Sequence, residues 1–385
     1  MIRKIPLAWL QLTREKTRLA VAIAGIAFAD ILMFMQLGFQ EALFNGNVRL
    51  HTTLEGDIVL INPQSEALLS METFSQRRLY QALAFEAVES VHPIYVDFTG
   101  WKNPQTRQLR NIQIIGFNPG ESVFNLPGVQ QNLNEIKLPD VVLFDQGSRK
   151  EFGPIAADFN SAKNITTEVG GRQIKVGGTF ELGTSFGADG TLITSDLNFL
   201  RLFNNQNRKR GLIDIGLIKL KPGANTEVVV EQMRKYLPDL KVLSKQEYID
   251  FEKAYWASST AIGFIFTLGT VIAFIVGTVI VYQILYSEVA DHLPEYATLK
   301  AMGYTDTYLL LVVFQEALIL ASIGFVPGFG FAIFQYTMAR NATLLPIVMT
   351  TSRALLVLFL TILMCFISGA IAVRKLRAAD PADVF

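Results

Sequence analysis

The chain has 385 residues, half of them hydrophobic and only 18% charged, with a mean hydropathy of +0.32. That balance is too apolar for a soluble protein with ordinary solvated faces, so a membrane protein is expected. The 34 Lys and Arg cancel the 34 Asp and Glu, leaving no basic excess to indicate nucleic acid, and a single cysteine, Cys365, excludes an intrachain disulfide.

In chain order, Ile5, Trp9 and Leu12 stand at i, i+4 and i+7 with charges on the other side. This is the pattern of an amphipathic helix lying on a membrane surface, expected within residues 1–18, with a plain solvated helix as the duller alternative. Residues 19–43 follow as an apolar run with a short stalk, longer than the roughly 20 residues that cross a hydrocarbon core. Ala27-Phe28-Ala29 imitates a signal-peptidase site, but the apolar run continues about ten residues past it, which a cleaved signal does not need.

Asp30 interrupts this run near its middle. On an insertion scale it costs about 2.5–3.5 kcal/mol, while each Leu, Ile, Phe or Val returns about 0.3–0.6, so the span inserts but its carboxylate cannot face lipid. Its candidate partners are the hydroxyls of Thr267, Thr270 or Thr278, groups on a facing subunit, or a proton of its own. Ala22, Gly25 and Ala29 form a neighbouring small-residue strip suited to close helix contact, so Asp30 is expected to fix register at a helix interface. A proton-coupled or substrate-contacting carboxylate is the rival reading.

Residues 44–255 read as mixed α and β. Short β-rich runs at 56–62, 94–98, 110–117 and 141–144 are separated by Gly, Pro and Asn. Residues 166–180 read as a hairpin turning at Gly170-Gly171, and 214–243 as strand, helix, strand, with room for two subdomains. Catalytic signals are missing: His51 and His92 lack metal-ligand spacing and read as surface or packing residues, and neither G-x-S-x-G nor a G-x-x-x-x-G-K-[ST] phosphate loop occurs. The polar but helix-compatible stretch 244–259 leads without a breaker into the next apolar run, as a stalk would.

Three more spans are expected, at 256–286, 308–338 and 354–374, separated by an inner loop at 287–307 and a short outer loop at 339–353 and followed by a tail at 375–385. Basic residues precede the first span (Arg3, Lys4, Arg14, Lys16, Arg18) and follow the last (Arg374, Lys375, Arg377), so both termini are expected in the cytoplasm and the 44–255 domain outside. The inner loop itself offers Lys300 against Glu288, Asp291, Glu295 and Asp306, and the charge rule is silent there.

The inner stretch "EYATLKAMGYTD" (295–306), the third-span opening "FQEALILASIGFVPGFG" (314–330) and the tail "RKLRAADPADVF" (374–385) together resemble the FtsX/MacB/LolC class of ABC-transporter permease subunits. "GIAFADILMFMQLGFQEALF" (25–44) is similar to the DevC type found in cyanobacteria. The resemblance implies a four-helix membrane protein with a large α+β periplasmic domain between helices 1 and 2, multi-pass in a bacterial inner membrane. It also implies no cofactor in this chain: ATP and Mg are bound by a separate ABC ATPase in two copies, beneath two copies of this chain. A coupling helix pressing on that ATPase falls on Glu295, Tyr296, Leu299, Lys300, Met302, Gly303 and Tyr304, although any tight loop between two spans shares this pattern. The DevC type further implies a periplasmic membrane-fusion adaptor, a TolC-like outer-membrane channel and export of a glycolipid or another envelope component. An FtsX-like signalling subunit, moving a periplasmic hydrolase activator and transporting nothing, is the alternative.

Overall fold

A computed structural model describes residues 7–204, 210–259, 261–292, 294–295, 298 and 302–378. The chain divides into two units, one of residues 1–42, 261–342 and 347–385 and the other of residues 43–260 and 343–346.

Four helices are long and apolar enough to cross a membrane: Lys16–Asn47, Ala261–Asp291, Leu311–Thr343 and Thr351–Ala372. A short helix, Leu7–Arg14, precedes the first, and the chain breaks helical geometry only at Glu15 between them. The third helix as a whole runs Asp306–Thr343 and carries Pro327, which a membrane helix tolerates where neighbours and ordered groups re-satisfy the freed carbonyl. Ala22, Ile26 and Ala29 of the first span pack with Val281 and Leu285 of the second, Ala317, Leu320 and Ala321 of the third, and Met364 and Cys365 of the fourth. Small residues permit this: a Cβ added at Gly277 would stand 2.7 Å from the Ala29 Cβ, and one at Gly324 2.7 Å from the Ile26 Cβ. Without a hydrophobic drive between helices in lipid, such backbone approach is the main source of packing energy.

The other unit is built on eleven strands: β1 (Ile58–Ile61), β2 (Phe74–Ser75), β3 (Val88–Lys102), β4 (Leu109–Phe117), β5 (Val141–Asp145), β6 (Thr166–Val169), β7 (Arg172–Phe180), β8 (Thr191–Ser195), β9 (Leu212–Ile213), β10 (Ile215–Leu220) and β11 (Lys241–Ser244). Nine form one mixed sheet in the order β11-β1-β10-β3-β4-β8-β5-β7-β6, while β2 and β9 pair separately. The far end of β3 also meets β6 at Trp101 opposite Val169, so the run from β3 to β6 closes on itself. The expected hairpin is β6–β7, turning through Gly170 and Gly171 at φ of 57° and 79°, which glycine adopts without a Cβ penalty. β10, the helix Thr226–Tyr236 and β11 make the expected strand, helix, strand, split by β1, which runs antiparallel to both.

Both faces of this sheet are covered, which is why its strands read as continuous apolar runs. Ile58 and Leu60 of β1 enter one core layer with Phe199, Val229 and Met233; Val59 and Ile61 enter the other with Leu50, Val129, Ile136 and Tyr248. A single nine-stranded sheet thus runs through the unit. Buried Asp145 anchors the 182–183 turn by accepting from the N–H groups of Leu182, Gly183 and Gly147. Burial pushes that carboxyl up, against the opposing pull of those three donors.

The stretch 244–259 differs from a uniform stalk. Ser244 caps a helix, Lys245–Ala254, with Glu247 returning the reciprocal capping-box bond, and the chain then passes through a π-helical turn, Tyr255–Ser259. Its Tyr248, Ile249 and Glu252 are buried in the domain; Glu252 accepts from the Leu68 N–H at 2.8 Å and the Trp256 indole at 2.9 Å. A buried carboxylate with two fixed donors ties this segment down, and no local periodicity reports it.

Candidate functional site

The segment between the second and third spans, expected above to be the inner loop, is short. Helix continues through Asp291 on one side and begins again at Asp306 on the other, and Met302 closes a last turn on the Thr298 carbonyl. Gly303 has φ of 96°, a left-handed value that ends the turn as a C-terminal glycine does. Met302 and Tyr304 are 64% and 46% exposed, and the Tyr304 and Tyr308 rings lie 4.9 Å apart. Exposed Met and Tyr grouped on so short a segment suit a partner surface. Of the other residues assigned to coupling, Glu295 is exposed, whereas Tyr296, Leu299 and Lys300 lie outside the described residues.

Around Glu295 the charges are organised. Arg18 at the start of the first span reaches Asp291 at 2.6 Å, Glu288 at 3.3 Å and Glu15 at 3.3 Å. Arg14 reaches Glu295 at 3.4 Å, and His292 stands between Glu295 at 2.9 Å and Glu288 at 3.4 Å. The acidic character that left this segment unassigned by the charge rule is therefore answered by arginines preceding the first span. The contacts put the N-terminal helix and the inner segment at one end of the bundle.

Midway along the first span, Asp30 is fully buried. Its partner is Thr361 of the fourth span, whose hydroxyl lies 2.6 Å from Asp30 Oδ1 and 2.8 Å from the Val357 carbonyl. This corrects the expectation of a second-span threonine: Thr267, Thr270 and Thr278 each donate to the carbonyl four residues back in their own helix. Asp30 Oδ2 has no hydrogen-bond partner among the described residues, and neither oxygen of buried Glu316 on the third span has one. Ala22 and Ala29 are buried at helix contacts, and a Cβ on Gly25 would meet the Ile280 side chain at 2.5 Å. Asp30 and the small strip thus face different neighbours, the fourth span and the second.

At the end of the first span opposite Arg18 sits a pairing that sequence reading missed. Arg353, near the start of the fourth span, is buried, pairs with Glu41 of the first span, donates to the Val348 carbonyl at 2.9 Å and lies 5.3 Å from the centre of the Tyr336 ring. Tyr336 in turn donates to the Phe34 carbonyl. The only sequence signal was a basic residue close to an apolar run, which reads equally well as a solvated flank.

In the other unit, the helices Arg49–Thr53 and Lys245–Ala254 meet through His51, whose ring is 4.5 Å from that of Tyr248 and whose Nε2 is 3.5 Å from Glu252. His92 is also buried and pairs with Glu121 and with Ser90 at 2.8 Å. Both histidines are packing residues. A cleft of about 650 Å³ is lined by Arg49, Gln131, Asn132, Gln146, Thr179 and Glu181 among others. Among the described residues no group of three or more His, Cys, Asp or Glu could hold a metal ion.

The fold is that of a chain with four helices able to cross a membrane and a large α/β domain inserted between the first and the second. Residues 19–236 match the family described as MacB-like periplasmic core domain, and residues 258–381 match FtsX-like permease C-terminal. The chain belongs to this FtsX-like, MacB-like permease family, whose members work with a partner ATPase in ABC systems. No curated protein sequence is matched. Among solved structures, the periplasmic region of MacB from Actinobacillus actinomycetemcomitans is similar at 13% identity and a TM-score of 0.34, over 52% of this chain and 92% of that one. The extracellular domain of the noncanonic ABC-type transporter YknZ from Gram-positive bacteria is similar at 12% identity and a TM-score of 0.34, over 49% of this chain and 98% of that one.

Proposed function

We infer that this chain is the permease subunit of an ABC exporter of the DevC type, seated in a bacterial inner membrane with both termini cytoplasmic and residues 44–255 periplasmic. Two copies pair, and two copies of a separate ATPase bind the segment containing Glu295, Met302, Gly303 and Tyr304. Nucleotide-driven movement of that segment passes along the spans to the outer domain. The observation that carries this reading is the match of residues 19–236 and 258–381 to the MacB-like and FtsX-like permease families, supported by Arg18, near the start of the helix Lys16–Asn47, pairing with Asp291 where the inner segment begins. An adaptor, a TolC-like channel and a glycolipid or other envelope cargo complete the exporter.

Copurification from native membranes tests it. The chain should bring down an ATPase, an adaptor and an outer-membrane channel, and should hydrolyse no ATP alone. Replacing Met302 and Tyr304 by Ser should weaken ATPase binding about tenfold, roughly 1.4 kcal/mol, the loss of a modest interface anchor. Recovery of a murein hydrolase system in place of adaptor and channel would overturn export in favour of FtsX-like signalling.

A further inference from the structure

We propose that Arg18 is the positioning residue through which the inner segment engages the first span, so that the first span is the driven element of the bundle. The claim rests on the permease reading for its consequence, but its geometry is independent of any partner.

Arg18 is the one guanidinium among the described residues that touches three carboxylates at this end of the bundle: Asp291, Glu288 and Glu15. Two of these lie on the last turn of the second helix, from which the inner segment starts. The Arg14–Glu295 pair is largely exposed on both sides and contributes little by itself. The Arg18–Glu288 pair differs because the Glu288 side chain is only 5% exposed. Glu316 of the third span is also buried and without a hydrogen-bond partner among the described residues. Removing Arg18 would leave the buried Glu288 carboxylate with the His292 ring, at 3.4 Å, as its remaining neighbour. An uncompensated buried charge is costly, so the end of the second helix would reorganise and not merely lose a surface contact. Below the arginine, Leu12 is buried in the same core as Ala22, Leu285 and Leu320, which fixes the N-terminal helix against the bundle. At the other end of the same span, Glu41 is held by Arg353 of the fourth helix. The first span is thus hooked to the second helix at its inner end and to the fourth at its outer end, a lever with its input at Arg18.

The test uses the full chain in nanodiscs with spin labels at Thr17→Cys and Thr298→Cys in a Cys365→Ala background. The original Arg18 should give a narrow distance distribution, Arg18→Met a broad one, and Arg18→Lys an intermediate one, since a lysine holds one carboxylate but cannot fork across two. The same variants are then titrated with the copurified ATPase and Mg-ATP. Arg18→Met should reduce the stimulated hydrolysis rate about fivefold, the scale of a modest coupling energy, with half-saturating ATPase unchanged. An unchanged distance distribution, an unchanged rate, or a loss confined to ATPase affinity would overturn the proposal. If the original chain stimulates no ATPase, the permease reading fails, and the label distances alone then decide whether Arg18 orders the inner segment.

Discussion

At Asp30 the single hydroxyl proton of Thr361 can serve either the carboxyl or the Val357 carbonyl. An asparagine amide at position 30 can donate to the Thr361 oxygen and leave that proton for Val357, so Asp30→Asn should retain folding and assembly. Transport that also survives would exclude obligatory proton exchange at this residue. Thr361→Val should cost about 0.6 kcal/mol, and at most about 1.7, the range for hydrogen bonds between membrane helices. Asp30→Leu should cost more, about 1–3 kcal/mol, by overpacking. The reason is local: a Cβ on Gly328 of the third span would already stand 2.9 Å from the Asp30 Cβ, and the two leucine methyls are bulkier than the carboxyl oxygens they replace in this closely packed place. Thermal unfolding in one detergent, comparing the three variants, checks the order.

At the level of helices, the end of the first span opposite Arg18 is held through Glu41, Arg353 and Tyr336, drawn from three different spans. Arg353 is 4% exposed and Glu41 41%, so the two losses are unequal. Arg353→Met removes the carbonyl bond and the ring contact as well as the pair, whereas Glu41→Gln leaves a polar group that can still turn to water. A double-mutant cycle between them should return a coupling of about 1–2 kcal/mol, below the 3–5 seen where both charges are fully buried. A coupling near zero would mean that Arg353 is held by Val348 and Tyr336 alone. Helix Lys245–Ala254 shows the same principle in the other unit, where one carboxylate, Glu252, accepts from the distant Leu68 N–H and from the Trp256 indole four residues on.

For the whole molecule, the arginine contacts to the inner segment predict a labelling pattern. In a Cys365→Ala background, cysteines at Thr17 and Thr298 should react with a membrane-impermeant maleimide only from the cytoplasmic side, and one at Thr52 only from the periplasmic side. Reaction of all three from the same side would contradict four crossings. The segment that the positive-inside rule could not place becomes interpretable through its partners, since its acids face Arg14 and Arg18 and are not free.

The sequence by itself determined the four apolar helices, the α/β insertion, the β6–β7 turn and the strand, helix, strand order of residues 214–243. Each depends on periodicity, composition or a glycine pair within a few residues, and such information is local. Tertiary structure alone decided that Asp30 meets Thr361 and not a second-span threonine, that Arg353 is buried against Glu41, and that Arg18 gathers the inner acids. These pairs lie 331, 312 and 270 residues apart along the chain (the last for Arg18–Glu288). A buried polar group selects whichever compatible group packing brings within 3 Å or so, and the helix rotations that decide this are set by many small-residue contacts together.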